Sequence, residues 1–316
     1  MACHFMGHPA FRNIIFRNNS SEFFSQNLIR TLNHSCGGTS TTTLFSSKTD
    51  AGTESSPPNS SNFEGNVDKT ELEKHQQLVN EWWDPRGHMK GLHAMNDLRV
   101  KFIANGFINA GQLKEDETQV NSKYLQGLKI CDVGCGGGIL SEVLARLGAD
   151  VTGIEPGDDL VKLATAHAEA STLPNKPKYI CSSIEEHAKS AENTYDGLVA
   201  SEVVEHVPNK KEFLEACLQT IKPGGSLFIT TPNRTFASWL GSVVIAENVL
   251  NIVPKGIHNW NLFITPSELK AILEKLGCRN VLMNGAMYDF ITNRWFFSTS
   301  QFHYVLHAVK VDRSIE

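Results

Sequence analysis

The run Asp132-Val133-Gly134-Cys135-Gly136-Gly137-Gly138 constrains this chain more than any other feature. It follows a short apolar stretch, Lys129 to Val133, and precedes an amphipathic one, Ile139 to Leu147, so it reads as the turn between a strand and a helix. Its glycines let the backbone turn sharply and approach a ligand without Cβ clashes. In an open α/β sheet, ligands bind outside the carboxyl ends of the strands, at such a turn.

The neighbouring residues narrow the ligand. A dinucleotide fingerprint asks for Gly or Ala three positions after Gly136, where Ile139 stands. A carboxylate at Asp132 would repel a pyrophosphate but suits the amino end of S-adenosylmethionine, which carries no phosphate. Glu155 lies 21 residues beyond Gly134, at the end of the next apolar run, where a carboxylate can accept hydrogen bonds from both ribose hydroxyls. S-adenosylmethionine is the expected cofactor, with Asp132, Gly134, Gly136 and Glu155 around it, and a nicotinamide dinucleotide is the alternative.

Downstream, strands and helices alternate. Strands are expected at Lys129 to Val133, Asp150 to Ile154, Lys178 to Cys181, Tyr195 to Ala200 and Ser226 to Thr230. Helices are expected at Ile139 to Leu147, Asp158 to Ala170 and Lys210 to Ile221, the last ending at the turn Lys222-Pro223-Gly224-Gly225. Upstream, helices are expected at Lys69 to Trp83, before the turn-forming Asp84-Pro85-Arg86-Gly87, and at about Ala94 to Gly106, with Arg99 on its flank. This spacing predicts an α/β fold, a doubly wound, mostly parallel sheet with an N-terminal helical extension.

The fourth strand runs into Ser201-Glu202-Val203-Val204-Glu205-His206-Val207-Pro208. A helical turn starting at Glu202 would put Glu202, Glu205 and His206 on one face. Two carboxylates and an imidazole there suit a divalent cation, Mg²⁺ or Mn²⁺ before zinc, and a chelating catechol would complete its shell. Glu205 and His206 are the candidate catalytic residues. His206 as a metal-free general base, or Glu205 and His206 as supports for the strand end, remain open.

Composition divides the chain. Residues 1–60 hold 10 Ser, 7 Thr and 6 Asn with four basic and three acidic groups; the rest carries 25 basic and 31 acidic ones, a net of −6 against −5 for the whole. A Ser-rich, Arg-containing, acid-poor start reads as an organelle transit peptide. The Pro57-Pro58 region reads as a linker. The expected organisation is therefore a leader and linker over 1–65 and one folded domain over 66–316. A net negative charge argues against nucleic acid, and no run of 18 apolar residues predicts a transmembrane helix. Seven cysteines without a regular framework suit a reducing compartment.

The stretch Ser238 to Val253 is apolar for an insertion after the fifth strand. Trp239, Val243, Ala246, Leu250 and Val253 fall on one helical stripe, which suits either a core helix over the site or an interfacial membrane helix.

Several segments together resemble the ubiquinone-biosynthesis O-methyltransferases. They are Trp82-Trp83-Asp84-Pro85, Met89 to His93, Asn96 to Arg99, Asp132 to Glu142, Glu205 to Pro208, Lys222 to Gly225, and Val253 to Gly256 with His258. The resemblance implies that Arg99, Gly134, Glu155 and Ser201 contact S-adenosylmethionine and that Glu202, Glu205 and His206 bind Mg²⁺. It implies methyl transfer to a phenolic oxygen of polyprenylated catechols, 3,4-dihydroxy-5-polyprenylbenzoate and 3-demethylubiquinol. It also implies peripheral contact with lipid on the matrix side of the mitochondrial inner membrane, beside other proteins of the same biosynthesis. Methylation of another lipophilic phenol, on oxygen or carbon, and a non-catalytic scaffold are the alternatives.

Overall fold

The computed structural model describes residues 82–115, 122–235 and 262–311. The expected leader and linker, the body of the helix from Lys69, and the insertion Ser238 to Val253 with Lys255 and His258 lie outside the described residues. Trp82 and Trp83, expected to end that first helix, occupy a turn instead.

The sheet is built from β1 (Lys129–Val133), β2 (Asp150–Glu155), β3 (Lys178–Cys181), β4 (Tyr195–Ser201), β5 (Ile221–Pro232), β6 (Cys278–Asp289), β7 (Arg294–Ser298) and β8 (His303–Lys310). Their order is β3-β2-β1-β4-β5-β8-β6-β7. The first five strands are parallel, and β8, β6 and β7 continue antiparallel. The direction of winding reverses between β1 and β4, which opens a crevice at their carboxyl ends.

Alternation along each strand sends neighbouring side chains into opposite layers. Leu198, Leu227, Ile229 and Leu306 pack on one side with α5 (Lys210–Thr220) and α6 (Pro266–Lys275). Ile130, Val199, Phe228 and Val305 pack on the other with α1 (Lys90–Asn109) and α2 (Ile139–Arg146). Helix α3 (Asp158–Ala170) joins β2 to β3, and the short α4 (Ile184–Ala188) follows β3.

Two expectations shift. Helix α1 begins before Ala94 and continues past Gly106, because that glycine is the point where the helix comes down onto Phe228 and His307 rather than a terminator. The turn Lys222-Pro223-Gly224-Gly225 survives as a bulge inside β5: Tyr195 pairs with Ile221, Gly197 next pairs with Ser226, and Lys222 Nζ reaches Asp196 Oδ1 at 2.6 Å.

Candidate functional site

The glycine loop leaves β1 at the crevice. Gly134 has φ +66°, a left-handed conformation, and a Cβ there would meet Val203. Its amide donates to Ile154 O at 2.8 Å, which ties the loop to β2. Glu155 ends β2 and holds the loop from the side: Oε2 accepts the Gly136 amide at 3.0 Å and Oε1 the Gly157 amide at 2.9 Å. Burial pushes its carboxyl up to about 7, against the two amides. Asp132 is also buried, which raises its carboxyl to about 6 although the Ser141 hydroxyl donates to it at 2.6 Å.

Arg99 approaches from α1. Its Nη1 donates to Ser201 Oγ at 2.9 Å, and Nη2 donates to Leu92 O at 2.9 Å and to Asn96 Oδ1. The side chain is buried, so desolvation lowers its pKa to about 10, with Asp132 and Glu202 opposing. Arg99 Nε is buried without a hydrogen-bond partner. A carboxylate is the acceptor that suits this guanidinium. With Asp132 and Glu155 beside it, the residues fit a zwitterionic ligand carrying a carboxylate, an ammonium and a ribose. Of the expected cofactor residues, Arg99, Asp132, Gly134, Gly136, Glu155 and Ser201 therefore all lie at the carboxyl ends of β1, β2 and β4 or against them.

The expected helical turn at Glu202 is a correction. Glu202 has φ +59°, and only a single 3-10 turn, Val204–His206, follows it. A residue at φ +59° is not part of a right-handed helical turn, so Glu202, Glu205 and His206 do not share a helical face. Glu202 instead accepts from Thr230 Oγ1 at 2.8 Å and pairs with His303 Nε2 at 2.8 Å. Burial opposes its charge, but His303, Thr230 and Arg99 hold the carboxyl well below its usual range. Glu205 is buried and accepts from Thr231 Oγ1 at 2.8 Å; burial first, then the charge of Glu202, pushes it well up. His206 is half-buried. Among the described residues no group of three or more His, Cys, Asp or Glu side chains is close enough to hold a metal ion. What a dication would find is the Glu202 carboxylate and a Glu205 carboxyl that its charge would help to ionise, not a preassembled shell.

His303 is the residue that the sequence does not announce, because its partner Glu202 is 101 positions away. The Thr230 hydroxyl gives its proton to Glu202, so Ser201 must donate to Thr230. Arg99, Ser201, Thr230, Glu202 and His303 thus form one continuous hydrogen-bonded chain across the crevice.

The strand order, the glycine loop and the acid ending β2 define a class I S-adenosylmethionine-dependent methyltransferase fold. A family described as methyltransferase domain matches residues 109–282. The mitochondrial ubiquinone biosynthesis O-methyltransferase of Bos taurus is 42% identical over 246 residues, covering 77% of this chain and 65% of that protein. The Rattus norvegicus counterpart is 42% identical over 77% of this chain and 70% of its own. The ubiquinone biosynthesis O-methyltransferase of Proteus mirabilis (strain HI4320) is 37% identical over 79% of this chain and 95% of its own. The chain belongs to the ubiquinone biosynthesis O-methyltransferase family. Its match spans 65% of the length of the bovine relative.

Proposed function

We propose that this protein transfers a methyl group from S-adenosylmethionine to a phenolic hydroxyl of a polyprenylated catechol in ubiquinone biosynthesis, 3,4-dihydroxy-5-polyprenylbenzoate or 3-demethylubiquinol. The observation that carries the reading is the buried Arg99 guanidinium with an unpaired Nε, interacting with the Asp132 carboxylate, which in turn interacts with Glu155. Arg99 takes the methionine carboxylate, Asp132 the amino group and Glu155 the ribose hydroxyls. Ser201, fixed by Arg99 and Thr230, holds the guanidinium in place.

The reaction is a direct displacement: the phenolic oxygen attacks the methyl carbon, the carbon–sulfur bond breaks, and the sulfonium leaves as a neutral thioether. Positioning of the two reactants supplies much of the acceleration. The phenolic proton leaves to His206, with Glu205 beside it in sequence as the second catalytic candidate. Magnesium belongs to this proposal only for the substrate-bound state, with Glu202, Glu205 and His206 as the side chains that would hold it. When bound it would lower the phenol pKa toward neutrality.

The names of the mammalian relatives support a mitochondrial site of action. No helix among the described residues is long and apolar enough to cross a membrane. Peripheral contact with the matrix face of the inner membrane, and with partner proteins there, is part of the proposal.

The test is methyl incorporation by the full chain from labelled S-adenosylmethionine into a short-tailed dihydroxybenzoate, with and without chelator. Methylated catechol and S-adenosylhomocysteine are the expected products. A chain that binds S-adenosylhomocysteine yet methylates no tailed catechol overturns the reaction. In the chelator arm, lost turnover restored by Mg²⁺, and a Mn²⁺ resonance signal abolished by Glu205→Gln, support the metal; full activity in excess chelator removes it.

A further inference from the structure

Two tryptophans that the proposed chemistry leaves unused sit directly on the cofactor loop. A Cβ placed at Gly136 or at Gly137 would run into the Trp82 indole, which is itself buried. Trp83 Nε1 donates to Gly137 O at 3.0 Å. The Trp83 ring lies on the His167 imidazole, with centroids 3.5 Å apart and planes 4° from parallel. His167 Nδ1 is 2.6 Å from Oε1 of Glu142, a buried carboxylate in the first turn of α2, directly after the loop. His93 of α1 closes the other end, its Nε2 3.0 Å from Trp82 O. The turn that follows is fixed by Asp84, whose Oδ1 accepts the Arg86 amide at 2.9 Å and whose carbonyl accepts the Gly87 amide at 3.0 Å.

One two-residue segment therefore bridges α1, which carries Arg99, the glycine loop and its helix α2, and α3, which starts beside Glu155. Arg99 sits on the first of these and Gly134 and Gly136 on the loop, while α3 begins three residues after Glu155, which ends β2. We propose that Trp82 and Trp83 form a strap that positions the glycine loop for S-adenosylmethionine, with Trp83, His167 and Glu142 as the positioning chain. It rests on the reading of the loop as the S-adenosylmethionine site. Trp83 fixes the Gly137 carbonyl, and with it the path of the loop between Gly136 and α2. Trp82 fills the space above the loop that side chains at 136 and 137 would otherwise occupy. The strap touches no reacting atom, so its effect falls on cofactor affinity and not on the methyl-transfer step.

The test compares the full chain with Trp83→Phe and Trp83→Ala. Trp83→Phe keeps an aromatic ring on His167 while removing the N–H and part of the indole's area, so it guards against loss of the fold. Calorimetry with S-adenosylhomocysteine should show Kd rising about fivefold for Trp83→Phe, the effect of one hydrogen bond, and by more for Trp83→Ala, which also loses the stack. At saturating S-adenosylmethionine, kcat of Trp83→Phe should stay within about twofold of the unaltered chain while KM for the cofactor rises. The change in tryptophan emission on ligand binding should shrink in both variants. Unchanged Kd and KM in both variants overturn the strap, and so does a fall in kcat with KM unmoved. If the unaltered chain fails to bind S-adenosylhomocysteine, the proposed function itself falls and takes the strap with it.

Discussion

Arg99 Nη1 lies 2.9 Å from Ser201 Oγ, a bond between residues 102 positions apart that fastens α1 to the end of β4. It leaves the buried guanidinium with Nε unspent. Lysine in its place keeps the positive charge beside Asp132 and Glu202 but loses the planar fork. Arg99→Lys should therefore fold, checked by thermal unfolding, yet bind S-adenosylhomocysteine at least about tenfold more weakly. Unchanged binding would show that the cofactor carboxylate goes elsewhere.

On the proposed reading, in which Glu155 takes the ribose hydroxyls, cofactor binding depends on pH. Burial raises its carboxyl to about 7, and the charge of Asp132 adds to the rise. Hydrogen bonds from ribose hydroxyls favour the ionised form, so binding is strongest above that value and weakens as the carboxyl takes up a proton. Between pH 8 and pH 6 the Kd for S-adenosylhomocysteine should rise about tenfold, following the ionised fraction. Asp132, at about 6, adds a further step centred on the lower limit of that range. Calorimetry across the window should find the upper step removed in Glu155→Gln; a step that survives would belong to another group.

Gly137 is a glycine because of Trp82. All three atoms nearest to a Cβ at that position belong to the indole. Gly137→Ala should destabilise the fold by about 1–3 kcal/mol through overpacking. In a Trp82→Leu background the same change should cost less, because the obstructing ring is gone. A double-mutant cycle by urea unfolding reads the difference, and additive effects would place the obstruction elsewhere.

Much of this fold is legible before the structure, and the reason is local. The expected bounds of β1, α3 and β3 match those observed, because each is an apolar or amphipathic run with a Gly or Pro at one boundary, Gly134, Gly157 and Pro177 respectively. The positions of Asp132, the loop and Glu155 at the crevice are legible for the same reason, since they sit at the ends of such runs. The cation trio was tied to a helical register that depends on the φ of Glu202, and no residue pattern announces a left-handed glutamate. His303 and the Trp83–His167 stack escape because their partners lie far away in sequence. Strand β6 is not legible locally for a related reason: Asn280, Asn284 and Gly285 interrupt the alternation, and antiparallel pairing with β8 supplies what the local pattern lacks.

His307 ties stability to pH away from the crevice. It is fully buried in β8, stacked on Phe228 with centroids 4.7 Å apart, and its Nε2 lies 3.0 Å from Ser226 Oγ. Ser226 gives its own proton to Gln112 Oε1 at 2.6 Å, so it accepts from His307 Nε2–H. Nδ1 has no partner and must stay bare, since a proton there would be a buried donor without an acceptor. Burial first, with Arg279 adding to it, lowers the pKa from 6.5 to about 4. The unfolded chain therefore takes up a proton at this residue before the folded one does. Above pH 6.5 the residue costs nothing, and between 6.5 and about 4 folding loses about 1.4 kcal/mol per pH unit, on the order of 3 kcal/mol in all. Urea unfolding at pH 7 and pH 5 should show His307→Phe losing about 2 kcal/mol less than the unaltered chain over that interval. Equal losses would mean that the imidazole finds a partner for its second proton.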